Sequence, residues 1–258
     1  MDGNYQSYIN RVVQMTAPVN YEQQIQNIQS SPKFEGQKPV EFPGYTIITP
    51  PHGESNYNQE FYQKLAQTQQ KLVKGLGADF FVALPADSFH ITLADLIWDN
   101  IYLDAVTKNP NFDQLLIRQV ESIFKDYKTV YKELKAYEFD VLGISIFPRA
   151  IAVCLAPKEE FYESVVKLRK LIYQDEQIID LGIEQNYEFA AHVTLGYFSN
   201  VSDDFDQDKV KSVITEINDQ WLENSPSTFT VEQFEVRKFT DMTNFVRQDD
   251  WAVIKLQK

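Results

Sequence analysis

Residues 90–93 read His-Ile-Thr-Leu and residues 192–195 read His-Val-Thr-Leu, so one four-residue pattern occurs twice in the chain. The chain has only three histidines, and for ordinary residue frequencies two such matches arise by chance in roughly one chain in ten thousand. Both copies lie in apolar, β-prone runs, where side chains two positions apart point to the same face. Each copy therefore predicts a strand that presents one imidazole and one hydroxyl together and turns its aliphatic side chains into a core.

The two imidazoles are the first candidates for chemistry. Histidine is the side chain whose charge changes near neutral pH, which suits proton transfer. Two copies on similar strands indicate a general acid and a general base, so His90 and His192 are the candidate catalytic residues. The alternative is that both are half-buried strand histidines that only hydrogen-bond to their neighbours.

Composition limits the class of protein. The 258 residues carry a formal net charge of −13, which opposes binding of long nucleic acid because that needs a face rich in Lys and Arg. No apolar run approaches the length of a membrane span, and the first residues lack the features of a secretory signal. The single cysteine, Cys154, excludes an internal disulfide framework, and its apolar run is typical of a buried, inert thiol. We therefore expect a cytoplasmic protein.

The first 40 residues differ in composition from the rest. They are rich in Gln, Asn, Ser and Tyr, and prolines interrupt two short helical stretches over residues 5–15 and 21–29. We predict that residues 1–40 form an N-terminal extension and that residues 41–258 form a single bilobal domain. Within that domain, strands are predicted over residues 44–49, 80–84, 89–97, 137–147, 150–156, 189–198, 228–239 and 251–256, and helices over 58–74, 112–127, 157–173 and 206–222.

The order of these elements repeats. Each His-x-Thr-Leu strand is preceded by a long helix and followed by a helix and two strands. Duplication explains how two identical donors face one another, because two similar lobes that pack about a pseudo-twofold axis place equivalent strands along one groove. The half-buried alternation within the strands favours antiparallel sheets. The predicted fold is α+β, with two antiparallel sheets flanked by helices and the His-x-Thr strands lining a central cleft.

Paired His-aliphatic-Thr-aliphatic motifs about a hundred residues apart resemble the two-histidine (2H) phosphoesterase superfamily. That group includes 2′,3′-cyclic nucleotide phosphodiesterases and 2′-5′ RNA ligase-like proteins. The resemblance covers roughly residues 40–258, and the stretch Phe-Pro-Gly-Tyr-Thr over residues 42–46 resembles a little-characterised bacterial branch. It implies a cleft floored by both motifs, with His90 and His192 as the catalytic pair, Thr92 and Thr194 holding the phosphate, and no metal or other cofactor.

The expected activity is hydrolysis of a small cyclic or 2′-5′ phosphodiester without a metal. The alternative is a nucleotide-binding or regulatory module that uses the same cleft without turnover. The chain departs from compact members of the superfamily in its length and its strong acidity, which argues against an RNA polymer as substrate. The expected partner is a small phosphodiester, with no membrane, and the sequence leaves the oligomeric state open.

Further residues of the cleft are harder to assign from the sequence. Tyr45 is a candidate for stacking on a base, with a packed strand tyrosine as the alternative. Arg149 is a candidate for pairing with a phosphate, with a surface arginine after a proline as the alternative. Tyr197 lies at an odd offset from Thr194, so alternation predicts that it points away from the histidine face. His52, between Pro-Pro and Gly, is predicted to be a loop residue.

Other classes of hydrolase find less support. Three histidines and a carboxylate suffice for zinc, but the chain has no His-x-His, no His-Glu-x-x-His and no cysteine pair. A serine hydrolase usually shows a Gly-x-Ser-x-Gly elbow, which is absent. A metal site also leaves the threonine of each motif without a role.

Overall fold

The computed structural model describes residues 3–131, 135–224 and 226–257. Its helices are α1 (Tyr5–Thr16), α2 (Tyr21–Ile25), α3 (Gln59–Leu76), α4 (Asp99–Lys108), α5 (Phe112–Val130), α6 (Glu159–Tyr173), α7 (Glu176–Asp180) and α8 (Gln207–Asn224). Its strands are β1 (Phe34–Glu35), β2 (Lys38–Pro39), β3 (Gly44–Ile48), β4 (Phe81–Ala83), β5 (Thr92–Trp98), β6 (Tyr137–Phe147), β7 (Ala150–Pro157), β8 (His192–Phe198), β9 (Thr228–Val231), β10 (Gln233–Asp241), β11 (Asn244–Val246) and β12 (Val253–Lys255).

Two five-stranded sheets form the centre of the molecule, and the predicted α+β class is confirmed. The first sheet has the strand order β11-β10-β3-β5, with β12 also paired to β10. The second has the order β4-β8-β7-β6-β9. Every pairing in both sheets is antiparallel. Strand β4, from the first half of the chain, lies in the second sheet, so the two lobes are interleaved.

The two sheets repeat one arrangement. Strands β5, β3 and β10 follow one another in the first sheet as β8, β7 and β6 do in the second. The chain enters the first histidine strand from β3 through α3, and the second from β7 through α6. Each lobe thus builds its histidine strand beside the strand that precedes its long helix, as the repeated element order predicts.

The helices form where the apolar residues have helical spacing. In α3 the buried residues include Phe61, Leu65, Leu72 and Leu76, which lie on one face. The helix ends before Gly77, whose φ of +92° is a conformation that glycine adopts without a Cβ penalty. Burial of these apolar faces against the sheets produces one continuous core.

The N-terminal residues pack against the second sheet. Helix α1 lies on β6 and β7, and Tyr8, only 2% exposed, donates its hydroxyl to the carbonyl of Leu155. Tyr21 is fully buried and donates its hydroxyl to the carbonyl of Ile144 at 2.7 Å. Each buried hydroxyl therefore has an acceptor on the sheet, which fixes where these short helices sit.

Some predicted boundaries differ from the structure. The predicted strand over residues 228–239 is interrupted at Glu232 and forms β9 and β10 in different sheets. Pro157 ends β7 and does not begin α6. The sequence analysis did not predict α4 or β11, which are short and weakly patterned. No helix in the part of the chain that the structure describes has the length and apolarity to cross a membrane.

Candidate active site

The side chains of both repeated motifs line one cavity of about 130 Å³ between the sheets. Thr92 is the first residue of β5, and His90 lies two residues before it. His192 and Thr194 lie on β8. The structure thus brings all four predicted residues together, and we call this space the central cavity. It is well above the roughly 10–15 Å³ that a cavity needs to hold one water molecule.

Each imidazole is oriented by the backbone of its own lobe. The Nδ1 of His90 lies 2.7 Å from the carbonyl oxygen of Ser88, and the Nδ1 of His192 lies 2.7 Å from that of Ala190. A carbonyl oxygen only accepts, so Nδ1 carries the hydrogen in both rings. Nε2 is left to face the cavity in each case. A neutral ring held in this tautomer offers Nε2 as a base, and a protonated ring offers Nε2–H as an acid.

Burial lowers the pKa of both histidines. It lowers the pKa of His90 to about 4, because desolvation penalises the imidazolium more than the neighbouring Asp95 carboxylate and the Ser88 carbonyl favour it. Burial also lowers the pKa of His192, and the charge of Lys33 acts in the same direction. Both rings are therefore neutral at pH 7.

A β-bulge in each histidine strand brings a further side chain to the cavity. In β8, Ala152 pairs with Thr194 but Ile151 pairs with Gly196, so Leu195 is the extra residue. The alternation shifts by one position, and Tyr197 lines the cavity beside Thr194. The prediction that Tyr197 points away was wrong, because it assumed an unbroken strand. Gly196 is the signal in the sequence, since glycine inside a strand often marks a bulge.

The first histidine strand bulges at the equivalent place. Ile48 pairs with Thr92 and Ile47 with Ala94, so Leu93 is the extra residue. Asp95 consequently lines the central cavity, in the position that Tyr197 occupies in the other lobe. Asp95 is a cavity residue that the sequence did not predict, and its offset from His90 equals that of Tyr197 from His192.

Each bulge is held by a side chain from the preceding long helix. Gln69 of α3 is 7% exposed and donates Nε2–H to the carbonyl oxygens of Leu195, at 2.6 Å, and Leu84, at 2.7 Å. In the other lobe Arg169 of α6 is 2% exposed and donates to the carbonyl of Leu93. The leucine of each motif therefore exposes its carbonyl to a buried donor, which fixes the kink that aims Tyr197 and Asp95.

We expect Gln69→Leu to lower the free energy of unfolding by about 1–3 kcal/mol, because it removes two buried hydrogen bonds, although the Leu195 carbonyl still accepts from the N–H of Leu84. Urea unfolding measures the change. Gln70→Leu is the matched control, since Gln70 is the exposed neighbour on the same helix, and surface changes usually stay within about 0.5 kcal/mol. Equal effects of the two substitutions would show that Gln69 does not hold the bulge.

Aromatic side chains confine both imidazoles. The ring of Phe245 on β11 meets His90 edge-on with centroids 4.5 Å apart, and Phe147 packs on His192 at 4.8 Å. Phe239 and Met242 continue the apolar wall on the side of the β10–β11 hairpin. This wall accounts for the desolvation of the histidines and offers an apolar surface to the organic part of a ligand.

On the side of the cavity opposite this apolar wall, polar groups hydrogen-bond to Asp95. Tyr187 donates its hydroxyl to Asp95 Oδ2 at 3.0 Å, and Thr46 donates to Oδ1 at 3.4 Å. Tyr187 also accepts from the backbone N–H of Asp95 at 3.1 Å. The carboxylate is therefore fixed in place at the wall of the cavity, and its charge raises the pKa of both histidines against the effect of burial.

Tyr45 and Arg149 do not reach the central cavity. Tyr45 is 1% exposed and packs against Tyr102 and Trp251, because its neighbour Thr46 takes the cavity face of β3. Arg149 is exposed in the turn between β6 and β7, where its carbonyl accepts from the N–H of Phe198. For both residues the structure supports the alternatives, a packed strand tyrosine and a surface arginine.

Two other reactive side chains lie away from the cavity lining. His52 stacks on Tyr62 with ring centroids 4.3 Å apart, in a short 3-10 turn. Cys154 is fully buried, and burial raises the pKa of its thiol to about 12, so it is not a nucleophile. Among the described residues, no group of three or more His, Cys, Asp or Glu side chains is arranged to hold a metal ion.

A family model matches the part of the chain that holds the first motif. Residues 33–103, which contain β3, α3 and the first motif, match the family model 2H-phosphodiest, described as a domain of unknown function (DUF1868). The second motif lies outside the matched residues, but it lines the same cavity. The name of this family model agrees with the resemblance drawn from the two His-x-Thr motifs.

Several solved structures are similar to this chain in fold. A conserved protein of unknown function, ATU0111 from Agrobacterium tumefaciens str. C58, has a TM-score of 0.56 at 15% identity, over 84% of this chain and 90% of its own. Escherichia coli LigT in apo form has a TM-score of 0.43 at 12% identity, over 85% and 100%. TT0787 of Thermus thermophilus has a TM-score of 0.43 at 14% identity, over 78% and 98%.

Proposed function

We propose that this protein is a metal-independent phosphodiesterase that hydrolyses a small cyclic or 2′-5′-linked phosphodiester. One observation carries the proposal. Two imidazoles with fixed tautomers and two threonine hydroxyls line the same small cavity. A tetrahedral phosphorus needs groups of both kinds around it, because its non-bridging oxygens accept hydrogen bonds while its attacking and leaving oxygens exchange protons. The name of the matching family model supports the same class of substrate.

The reaction we propose is in-line attack of water on phosphorus. His90 accepts a proton at Nε2 from the attacking water as the new P–O bond forms. His192 donates its Nε2 proton to the leaving oxygen as the opposite P–O bond breaks. The product is a phosphomonoester with a free hydroxyl, and proton exchange with solvent restores both rings. Positioned groups of this kind each contribute typically about 10²–10⁴-fold.

We assign the base to His90 because the protein resists its protonation more strongly. The Arg237 guanidinium and His192 add to the effect of burial and lower the pKa of His90 further, to about 4. The imidazolium of His192 gains from a bound phosphate anion, which raises its pKa and keeps the acid protonated. The hydroxyls of Thr92 and Thr194 donate to the non-bridging oxygens and hold phosphorus between the rings.

The test is hydrolysis of a phosphodiester panel: 2′,3′-cyclic nucleotides, 2′-5′-linked dinucleotides and a chromogenic non-nucleotide diester. The variant His90→Ala/His192→Ala is the blank, and each assay is repeated in excess chelator. We expect turnover by the wild type that persists in chelator and is absent from the blank. Binding of nucleotides by calorimetry without any product would favour the regulatory module, and loss of activity in chelator would contradict a metal-independent reaction.

The pH profile follows from the lowered pKa values. The base must be neutral, so kcat/KM is lost as the pH falls through about 4, the pKa of His90. The acid must be protonated, so kcat/KM declines as the pH rises through the pKa of His192, which lies below its ordinary value of 6.5. We expect a bell-shaped kcat/KM with its maximum on the acid side of pH 6.5. In kcat the alkaline limb moves to higher pH, since the bound anion raises the pKa of His192; a kcat/KM maximum above neutrality would contradict the assignment.

A further inference from the structure

The two equivalent bulge positions carry opposite chemistry. Asp95 and Tyr197 occupy the same place in the two lobes, and both line the central cavity. A carboxylate repels a second anionic group, whereas a phenol hydroxyl can donate to one. The cavity therefore has an acidic end beside β5 and a donor end beside β8, although its histidines and threonines are arranged symmetrically.

Lys33 adds a positive charge at the donor end. Its Nζ lies 3.4 Å from the hydroxyl of Tyr197 and 5.0 Å from the ring centroids of both Tyr197 and Phe42. The positive charge of Lys33 helps to lower the pKa of His192. Two aromatic faces thus hold this ammonium group next to the cavity.

No carboxylate within the described ranges forms an ion pair with Lys33 at 4.0 Å or less. Arg237, whose charge lowers the pKa of His90, is in contrast bound by Glu54 and Glu235. In a protein with a net charge of −13, an ammonium group left without a carboxylate beside a phosphate-sized cavity is available to an anionic ligand.

We propose that Lys33 and Tyr197 form an anion subsite beside His192 that binds a second phosphate of the substrate. The inference rests on the proposed function for the phosphodiester that occupies the central cavity. Lys33 supplies the charge, Tyr197 supplies a hydroxyl donor, and Asp95 excludes the second phosphate from the opposite end. The substrate class is therefore a phosphodiester that carries a further phosphate on one side and an uncharged, hydroxyl-bearing group on the other.

The test compares two substrates that differ by one phosphate, adenosine 2′,3′-cyclic phosphate with and without a 5′-phosphate. We expect the wild type to favour the 5′-phosphorylated compound on the order of tenfold in KM, because a charge-assisted hydrogen bond is gained. Lys33→Gln should abolish this preference, so that the KM values of the two substrates then lie within about twofold of each other. The preference should also shrink as ionic strength rises from about 0.02 to 0.5 M.

Matched variants separate a charge effect from a loss of structure. Lys38→Gln neutralises an exposed lysine on the same β1–β2 hairpin and should keep the preference, as should Lys33→Arg. The inference is overturned if the wild type shows no preference, if Lys33→Gln keeps it, or if Lys33→Gln slows both substrates equally.

Binding of non-reacting ligands makes this test independent of turnover. Calorimetry with adenosine 2′-phosphate and adenosine 2′,5′-bisphosphate measures the contribution of the second phosphate without hydrolysis. A preference that depends on Lys33 in a protein that cleaves no diester would sustain the subsite and reject the proposed function. Turnover of a diester without a preference for the second phosphate in either assay would support the proposed function and reject the subsite.

Discussion

Replacing His192 or His90 with alanine is expected to lower kcat by at least about 10²-fold on any diester that the wild type cleaves. Each variant leaves one proton of the reaction without a positioned carrier. The two losses should not add, because acid and base act in the same step, so the double variant should be little slower than either single variant. Steady-state kinetics across the diester panel measures all three.

The shape of the remaining pH profile tests which histidine has which role. Without His90, the limb near pH 4 should vanish, since that limb reports the base. Without His192, the limb that lies below pH 6.5 and falls with rising pH should vanish. If each variant instead loses the other limb, His192 is the base and His90 is the acid, and the acid–base mechanism still holds.

His52 provides the matched control for these substitutions. It is the third histidine of the chain and stacks on Tyr62 outside the lining of the central cavity. His52→Ala should therefore change kcat by less than about twofold. A rate near that of the wild type in His90→Ala or His192→Ala, or an equal loss in His52→Ala, would reject the assignment of the site.

The sequence predicts the parts of the site that depend on local periodicity. Alternation along a strand places His192 and Thr194 on one face, and the repeat of the motif predicts a second pair at His90 and Thr92. The structure brings both pairs to one cavity. The same periodicity fails three residues later at Tyr197, because the bulge at Leu195 depends on a donor from a distant helix.

Residues that reach the site across the chain leave no local signal. Lys33 approaches Tyr197 from the N-terminal segment, and Phe245 approaches His90 from a C-terminal hairpin. Tyr45 has the sequence environment of a cavity residue, but its place in β3 is on the core face. Asp95 and Tyr197 have equal offsets from their histidines, so the motifs equate the two positions, but only the two bulges bring both side chains to the cavity. Strand pairing and long-range packing, rather than residue type, determine which of these residues line the central cavity.

A buried charge cluster supports the hairpin that covers His90. Arg237 on β10 is 2% exposed and donates to Glu235, also 2% exposed, at 2.7 Å. It forms a two-pronged pair with Glu54, at 2.8 and 2.6 Å, and donates to the carbonyl of Phe245 at 2.9 Å. One guanidinium thus ties the strand, the loop that holds Glu54 and the hairpin together beside the catalytic candidate His90.

We expect Arg237→Met to lower the free energy of unfolding by about 3–5 kcal/mol, because it leaves the carboxylate of Glu235 buried without its partner. The nearest other cation, Arg247, lies 3.7 Å away and does not replace that hydrogen bond. Arg237→Met/Glu235→Gln should recover at least half of the loss, since it also removes the stranded charge. Arg118→Met, on the exposed face of α5, is the matched control. Urea unfolding at pH 7 measures each difference.

The pH dependence of the same measurement separates charge from packing. Hydrogen bonding to Arg237 lowers the pKa of Glu54 from 4.5, so the stabilisation it gives is present above that value and is lost as the pH falls through the lowered pKa. The variant Arg237→Met lacks this contribution at every pH, so acid cannot remove it a second time. The difference between variant and wild type should therefore narrow as the pH falls from 7 toward 3. A difference that stays constant over that range would mean that Arg237 stabilises the hairpin through its alkyl chain, and that the charge cluster does not hold Phe245 over His90.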